Sequence, residues 1–211
     1  MVGIDGPRSC GRPLGRPPVR QSSIRPTGVD RTFGEDEIIV SKTDAKGIIT
    51  YANDVFLRIS GYPECDVIGQ PHNLIRHPDM PRAVFGLLWD KISNGAEIFA
   101  YVVNLAADGA HYWVLAHVTP TRSADGRITG YHSNRRTADR GALAVVEPLY
   151  RDLLAEERRH ANPKDAMRAS TLILTQLLTD RGMSYDEFVW SLEPANAVPD
   201  QAAGGTARRA A

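Results

Sequence analysis

Two Asp-Gly pairs constrain this chain more than any other feature. Asp108-Gly109 and Asp125-Gly126 separate three runs rich in β-branched and aromatic residues: Glu97 to Leu105, His111 to Thr121, and Arg127 to Asn134. An Asp-Gly pair supplies the positive φ that a tight hairpin needs, so the three runs form an antiparallel meander. Upstream, Glu37 to Asp44 and Ile48 to Tyr51 flank the turn Asp44-Ala45-Lys46-Gly47 and read as a further hairpin. Short helices fill the gap between hairpin and meander. Asn53-Asp54 caps the first, which presents Val55, Phe56 and Ile59 and ends at Gly61 and Pro63. Glu64 to Ile68 makes one helical turn closed by Gly69. A longer helix carries Val84, Leu87, Leu88 and Ile92 at helical spacing, with Asp79 placed to cap it, Pro81 in its first turn and Asn94-Gly95 as its stop. The order of elements predicts an α+β fold: a five-stranded antiparallel sheet with short helices on one face.

The C-terminal third reads as α-helices. Val145, Val146, Leu149, Tyr150, Leu153 and Leu154 form one apolar stripe. Asn162 and Pro163 open a second helix, which stops near Gly182, and Ser184-Tyr185-Asp186-Glu187 is a capping box for a third. Residues 1–32 are rich in Pro, Gly and Arg and poor in aliphatic clusters, so they are expected to be a disordered tail, as is the Ala/Gly-rich segment 194–211. That leaves one domain over 35–138 and a helical region over 140–193 whose apolar stripe suits dimerisation or transmission.

Composition narrows the function classes. The formal net charge is zero over 211 residues, which gives no reason to expect nucleic acid or an anionic membrane as partner. The longest apolar-leaning stretch, Leu172 to Leu178, is broken by Thr175 and Gln176, so no membrane insertion is expected. The basic N-terminus lacks an apolar core for a secretory signal, and the expected compartment is the cytoplasm. Two cysteines, Cys10 and Cys65, are too few for a disulfide framework. No nucleophile elbow, phosphate-binding loop, metal-ligand spacing or paired carboxylates occur, so the chain is not expected to be an enzyme.

Several motifs resemble one family. Ile48-Ile49-Thr50-Tyr51-Ala52-Asn53, Ser60-Gly61-Tyr62, Val67-Ile68-Gly69-Gln70 and Asp108-Gly109 before Tyr112-Trp113 look like a PAS domain. The run Gly69-Gln70-Pro71-His72-Asn73-Leu74-Ile75-Arg76-His77-Pro78-Asp79-Met80-Pro81 is similar to the sensory domain of bacterial aerotaxis receptors, and the likeness continues into Val146-Glu147-Pro148-Leu149-Tyr150. The resemblance implies a sheet cupping FAD, with FMN or no cofactor as alternatives, whose redox state reports oxygen or electron-transport status to a downstream signalling protein. It implies a homodimer through the PAS domain and the C-terminal helices.

The resemblance also maps the flavin-contacting motif onto Arg76, His77 and Asp79, with Asn73 beside it, and a ring-contacting Trp onto Trp89. Arg76 offers a planar fork of donors, His77 titrates near neutral pH, and Trp89 can stack on a ring system. Asn104 and His117, with Asn134, sit on strands and are expected along the cavity floor. Two positions depart from the family pattern. Phe99 stands where a Trp is usual, which places it among the cofactor-binding candidates, and Leu105-Ala106-Ala107 replaces basic residues after Asn104. A cofactor-free interaction module is the competing class. Cysteinyl-flavin chemistry is not expected of Cys65, which precedes the motif, and no His lies between Pro81 and Ile92 to ligate a haem.

Overall fold

The computed structural model describes residues 24–193. Five strands form one antiparallel sheet in the order β2-β1-β5-β4-β3, where β1 is Ile39–Asp44, β2 Ile49–Ala52, β3 Ile98–Leu105, β4 His111–Arg122 and β5 Ile128–Thr137. Between β2 and β3 lie α1 (Asp54–Ser60), α2 (Glu64–Val67), a 3-10 turn (His72–Ile75) and α3 (Arg82–Ser93). After β5 come α4 (Arg140–Glu157), α5 (Pro163–Asp180) and α6 (Tyr185–Ser191). Both Asp-Gly turns form as the sequence predicts, with Gly109 at φ 87° and Gly126 at φ 84°. The Asn53, Asn162 and Ser184 side chains cap α1, α5 and α6, and Glu187 completes the capping box at Ser184.

Register decides what each face of the sheet holds. Ala116 pairs with Arg135, Val118 with Ser133, and Ser41 with Ser133, so these residues share the face under α1–α3 with Val102 and Asn104. The opposite face carries Phe99, Tyr101, Trp113, Leu115 and His117, and it is covered by α4 and α6. Tyr150 of α4 donates its hydroxyl to the Tyr101 carbonyl at 2.6 Å, and Trp190 of α6 packs on Phe99 with ring centroids 4.7 Å apart. The stripe Val146, Leu149, Tyr150, Leu153 and Leu154 is therefore buried within its own chain, while Val145 remains exposed.

Two expectations need correction. Residues 24–32 were assigned to the tail, yet they run along the β3–β4 hairpin. Thr27 N–H donates to the Gly109 carbonyl at 2.8 Å, Arg31 N–H to the His111 carbonyl at 2.7 Å, and His111 N–H to the Val29 carbonyl at 2.9 Å. Backbone pairing holds this largely polar segment, with Ile24 packed on the core, and it approaches so closely that a Cβ on Gly109 would overlap the Arg25 carbonyl oxygen. The expected disorder of 1–23 and 194–211 lies outside the described residues.

The second correction concerns Asp79, which does not cap α3. Pro81 precedes the helix, and the free N–H groups of Arg82 and Ala83 donate to Glu157 Oε1, at the end of α4, at 2.6 and 3.2 Å. The same oxygen accepts the Ser170 hydroxyl of α5 at 2.9 Å. One carboxylate thus ties three helices together at the N-terminus of α3, where the helix dipole favours negative charge.

Candidate functional site

Between the inner face of the sheet and α3 lies a cavity of about 620 Å³, within the range of small-molecule sites. Its walls differ in chemistry. Leu88, Trp89 and Ile92 of α3, with Val102 and Val118 of the sheet, present apolar surface, while Ser41, Thr43, Asn104, Ser133 and Arg135 present polar groups from three strands. Lys46, Arg82 and Lys164 reach its edge and are exposed. α5 closes one side through Pro163, Lys164 and Met167. This is possible because α3 carries Gly86, where a Cβ would sit 3.0 Å from Met167 Sδ.

The polar wall is unsaturated. Thr43 Oγ1, Asn104 Nδ2, Ser133 Oγ and Arg135 Nη1 are buried without a hydrogen-bond partner. Each such atom costs about 1–3 kcal/mol, and all four belong to residues that line one cavity, a wall that a ligand with donors and acceptors would complete. Arg135 is 3% exposed. Its Nη2 donates to Ser41 Oγ at 2.8 Å and to His72 Nε2 at 2.6 Å. A guanidinium only donates, so His72 accepts at Nε2 and is neutral. Burial and the adjacent Arg135 charge push the His72 pKa down to about 3, and burial lowers that of Arg135 to about 10. The guanidinium remains charged at neutral pH.

The predicted site residues divide. Asn73, Arg76, Trp89 and Asn104 line the cavity. Trp89 covers Gly47 and meets Tyr131 edge-on with centroids 5.6 Å apart. Arg76 stacks its guanidinium on Phe85 at 4.4 Å and donates to the Met80 carbonyl at 2.9 Å, which leaves it standing between this cavity and a second one of about 530 Å³. His77 lines only the second, between the Arg76 loop and the α4–α5 corner. It is 6% exposed, accepts the Asp79 N–H at Nδ1 at 3.1 Å, and is kept below its ordinary pKa by burial, opposed by Asp79.

Asp79 turns outward to Arg158 at 3.1 Å. Successive residues of extended chain point to opposite sides, which is why Arg76 reaches the cavity and His77 does not. Phe99 and His117 stack on each other at 4.1 Å on the outer face, where His117 also pairs with Glu97 at 2.8 Å and lies in register with Asn134. They are not on the cavity floor. The departure at Phe99 therefore removes nothing from the cavity, and Leu105 lines the second cavity instead of the first.

Sequence reasoning missed Ser41, His72, Ser133 and Arg135. The available signal was period two along β5: Tyr131, Ser133 and Arg135 share one face, but the strand was read as ending at Asn134.

A five-stranded antiparallel sheet with helices on one face and a ligand-sized cavity between them defines the class of domain. The family model described as the PAS fold matches residues 38–133, and this region is a PAS domain. Over 123 residues the chain is 43% identical to the aerotaxis receptor of Escherichia coli, covering 58% of this chain and 24% of the receptor. It is 29% identical over 99 residues to the nitrogen fixation regulatory protein of Klebsiella pneumoniae, covering 47% of this chain and 20% of that protein. It is 30% identical over 80 residues to phototropin-2 of Oryza sativa subsp. japonica, covering 38% and 9% respectively. The chain thus spans about a quarter or less of the length of these relatives. Among solved structures, the light-state blue-light photoreceptor Aureochrome1 LOV matches with a TM-score of 0.48 and 22% identity, over 51% of this chain and 86% of that one. Among the described residues no helix is long and apolar enough to cross a membrane.

Proposed function

We propose that this protein is a non-catalytic cytoplasmic sensor that binds a flavin, best FAD, in the cavity between α3 and the sheet, and reports redox or oxygen status to a partner protein. The observation that carries the reading is the polar wall: four buried, unpartnered atoms facing apolar surface from α3. A planar heteroaromatic ring with donors and acceptors on one edge and an apolar face suits both. Asn104 and Ser133 would bond the ring edge, Trp89 and Leu88 would cover its face, and the exposed Lys46, Arg82 and Lys164 would hold phosphates at the mouth. A bound flavin supplies an acceptor that takes up or loses electrons. The chain's own residues orient it, exclude water and convert its charge into a change of packing.

The route outward is short. Arg135 lies on β5, which ends at Thr137, and Asp139 caps α4 directly after it. A single charge-assisted hydrogen bond is worth about 1.5–3 kcal/mol, whereas inverting a two-state equilibrium from 1:99 to 99:1 takes about 5.5 kcal/mol. Several cavity contacts must therefore act together on how α4 and α5 sit. Because the α4 stripe is engaged by its own sheet, pairing with a second copy or a partner through that stripe requires α4 to leave its seat.

The test is the visible spectrum of protein purified without added cofactor, with mass analysis of what denaturation releases. A flavin spectrum that bleaches with dithionite and returns in air is the expected result. A colourless protein that takes up no FAD or FMN would overturn the reading in favour of an interaction module whose cavity binds no cofactor.

A further inference from the structure

Arg135 is a buried cation with no anion beside it. Among the described residues no carboxylate pairs with its guanidinium. Its Nη2 has Ser41 and a neutral His72, its guanidinium lies 5.7 Å from the Phe56 ring centroid, and its Nη1 has no hydrogen-bond partner, so no neighbour carries negative charge. Burying an uncompensated charge is costly, and a chain that needed only to fill this space would do better with an apolar residue. The remaining charges of the cavity are also positive: Lys46, Arg82 and Lys164 lie at its exposed edge, and half-buried Arg76 is held by Phe85 and the Met80 carbonyl. The two populations are separated by depth. Phosphates keep part of their hydration at an exposed edge, whereas the deep guanidinium faces the region that the polar wall reserves for a ring.

We infer that Arg135 is the group that holds the negative charge of the bound ring in its reduced form, so that the cavity favours the reduced ligand over the oxidised one. This rests on the flavin reading above. Reduction delivers two electrons, from dithionite in the assay, and one proton from solvent to the ring, which then carries one more negative charge than before. Oxygen takes the electrons back. The oxidised ring is neutral and gains only a hydrogen bond from Arg135 Nη1, while the reduced ring gains charge compensation in a water-poor site. Neutral His72 fixes the guanidinium plane through Nη2 and leaves Nη1 directed to the ligand.

The experiment uses the full chain loaded separately with riboflavin, FMN and FAD, and compares the wild type with Arg135→Met, Arg135→Gln and Arg135→Lys. Dissociation constants for the oxidised ligands and midpoint potentials are measured, with thermal unfolding as a folding control. In Arg135→Met the affinity for oxidised ligand is expected to change by less than about threefold, while the reduced form loses about tenfold. For a two-electron couple that is a midpoint about 30 mV more negative. Arg135→Gln, which keeps a donor without the charge, should show the same shift if the Met variant fails to fold, and Arg135→Lys should recover most of it.

The shift should be equal for riboflavin and FAD, because no phosphate is involved. An unchanged potential in both neutral variants with flavin bound would overturn the assignment and leave the flavin reading standing. A loss of FMN and FAD binding with riboflavin spared would overturn it too, by placing a phosphate at Arg135. A wild-type protein that binds none of the three removes this inference and the flavin reading together.

Discussion

Two buried ionised side chains in this molecule have opposite surroundings. Glu157 is 7% exposed, and one of its oxygens accepts from two backbone N–H groups and a hydroxyl on two other helices, with Arg82 Nε 3.8 Å from the other. Arg135 is as deeply buried, but only one of its terminal nitrogens is engaged, by neutral partners. The first arrangement is complete without any visitor. The second is left open toward a cavity. A charge enclosed by its own protein marks structure, and a charge enclosed on one side only marks a ligand site.

Removing the two groups should therefore act in opposite directions. Glu157→Ala strips the cap from α3 and leaves the Arg82 and Ala83 N–H groups short of their acceptor, while the Ser170 hydroxyl keeps only the Met167 carbonyl. A loss of about 3 kcal/mol in denaturant unfolding is expected. It should be accompanied by easier proteolysis of the α4–α5 pair, which that carboxylate joins to α3. Arg135→Met in ligand-free protein should instead raise stability by about 1 kcal/mol, because a desolvated charge gives way to an apolar side chain of similar reach. Equal losses in both variants would erase the distinction. Saturating flavin sharpens it, since the ligand should stabilise the wild type more than Arg135→Met.

The same contrast shows what the sequence disclosed. Local signals held: the Asp-Gly turns and the caps at Asn53, Asn162 and Ser184 all act within a few residues of the backbone they organise. Asp79 failed as a cap because its competitor, Glu157, arrives from 75 positions away, which no local pattern encodes. The motif around Arg76 placed the right segment at the cavity, but alternation along extended chain divided its side chains between two cavities. Alternation along β5 put Arg135 on a face with Tyr131 and Ser133; only the pairing with β1 and β4 told which face the helices cover.

Acid titration separates the regions more finely. His72 has its folded pKa depressed to about 3 by burial and by Arg135, against about 6.5 for an exposed histidine. Below pH 6.5 the unfolded chain takes up a proton that the folded chain refuses. The stability that His72 contributes is thus fully present above pH 6.5 and is lost as the pH falls toward 3, by up to about 1.4 kcal/mol per pH unit. His77 is shifted in the same direction, so the informative quantity is the difference between the wild type and His72→Gln. That variant should show a shallower decline between pH 6 and about 4. In Arg135→Met the decline should also be shallower, because the charge that repels a proton from His72 has gone. Parallel curves in all three proteins would break the link between His72 and Arg135.

The smallest effect belongs to the outer face. His117 stacks on Phe99 with planes 2° apart and pairs with Glu97, but the sheet lies between it and the cavity. Removing it with His117→Ala costs a partly exposed stack and a surface hydrogen bond, together about 0.5–1 kcal/mol. Flavin affinity should stay within about twofold of the wild type, because no cavity-lining atom loses a partner. If His117→Ala instead weakens flavin binding tenfold at unchanged stability, the ligand lies on the side of the sheet that α6 covers. The open guanidinium of Arg135 would then need another explanation, since a ligand on that face could not reach it.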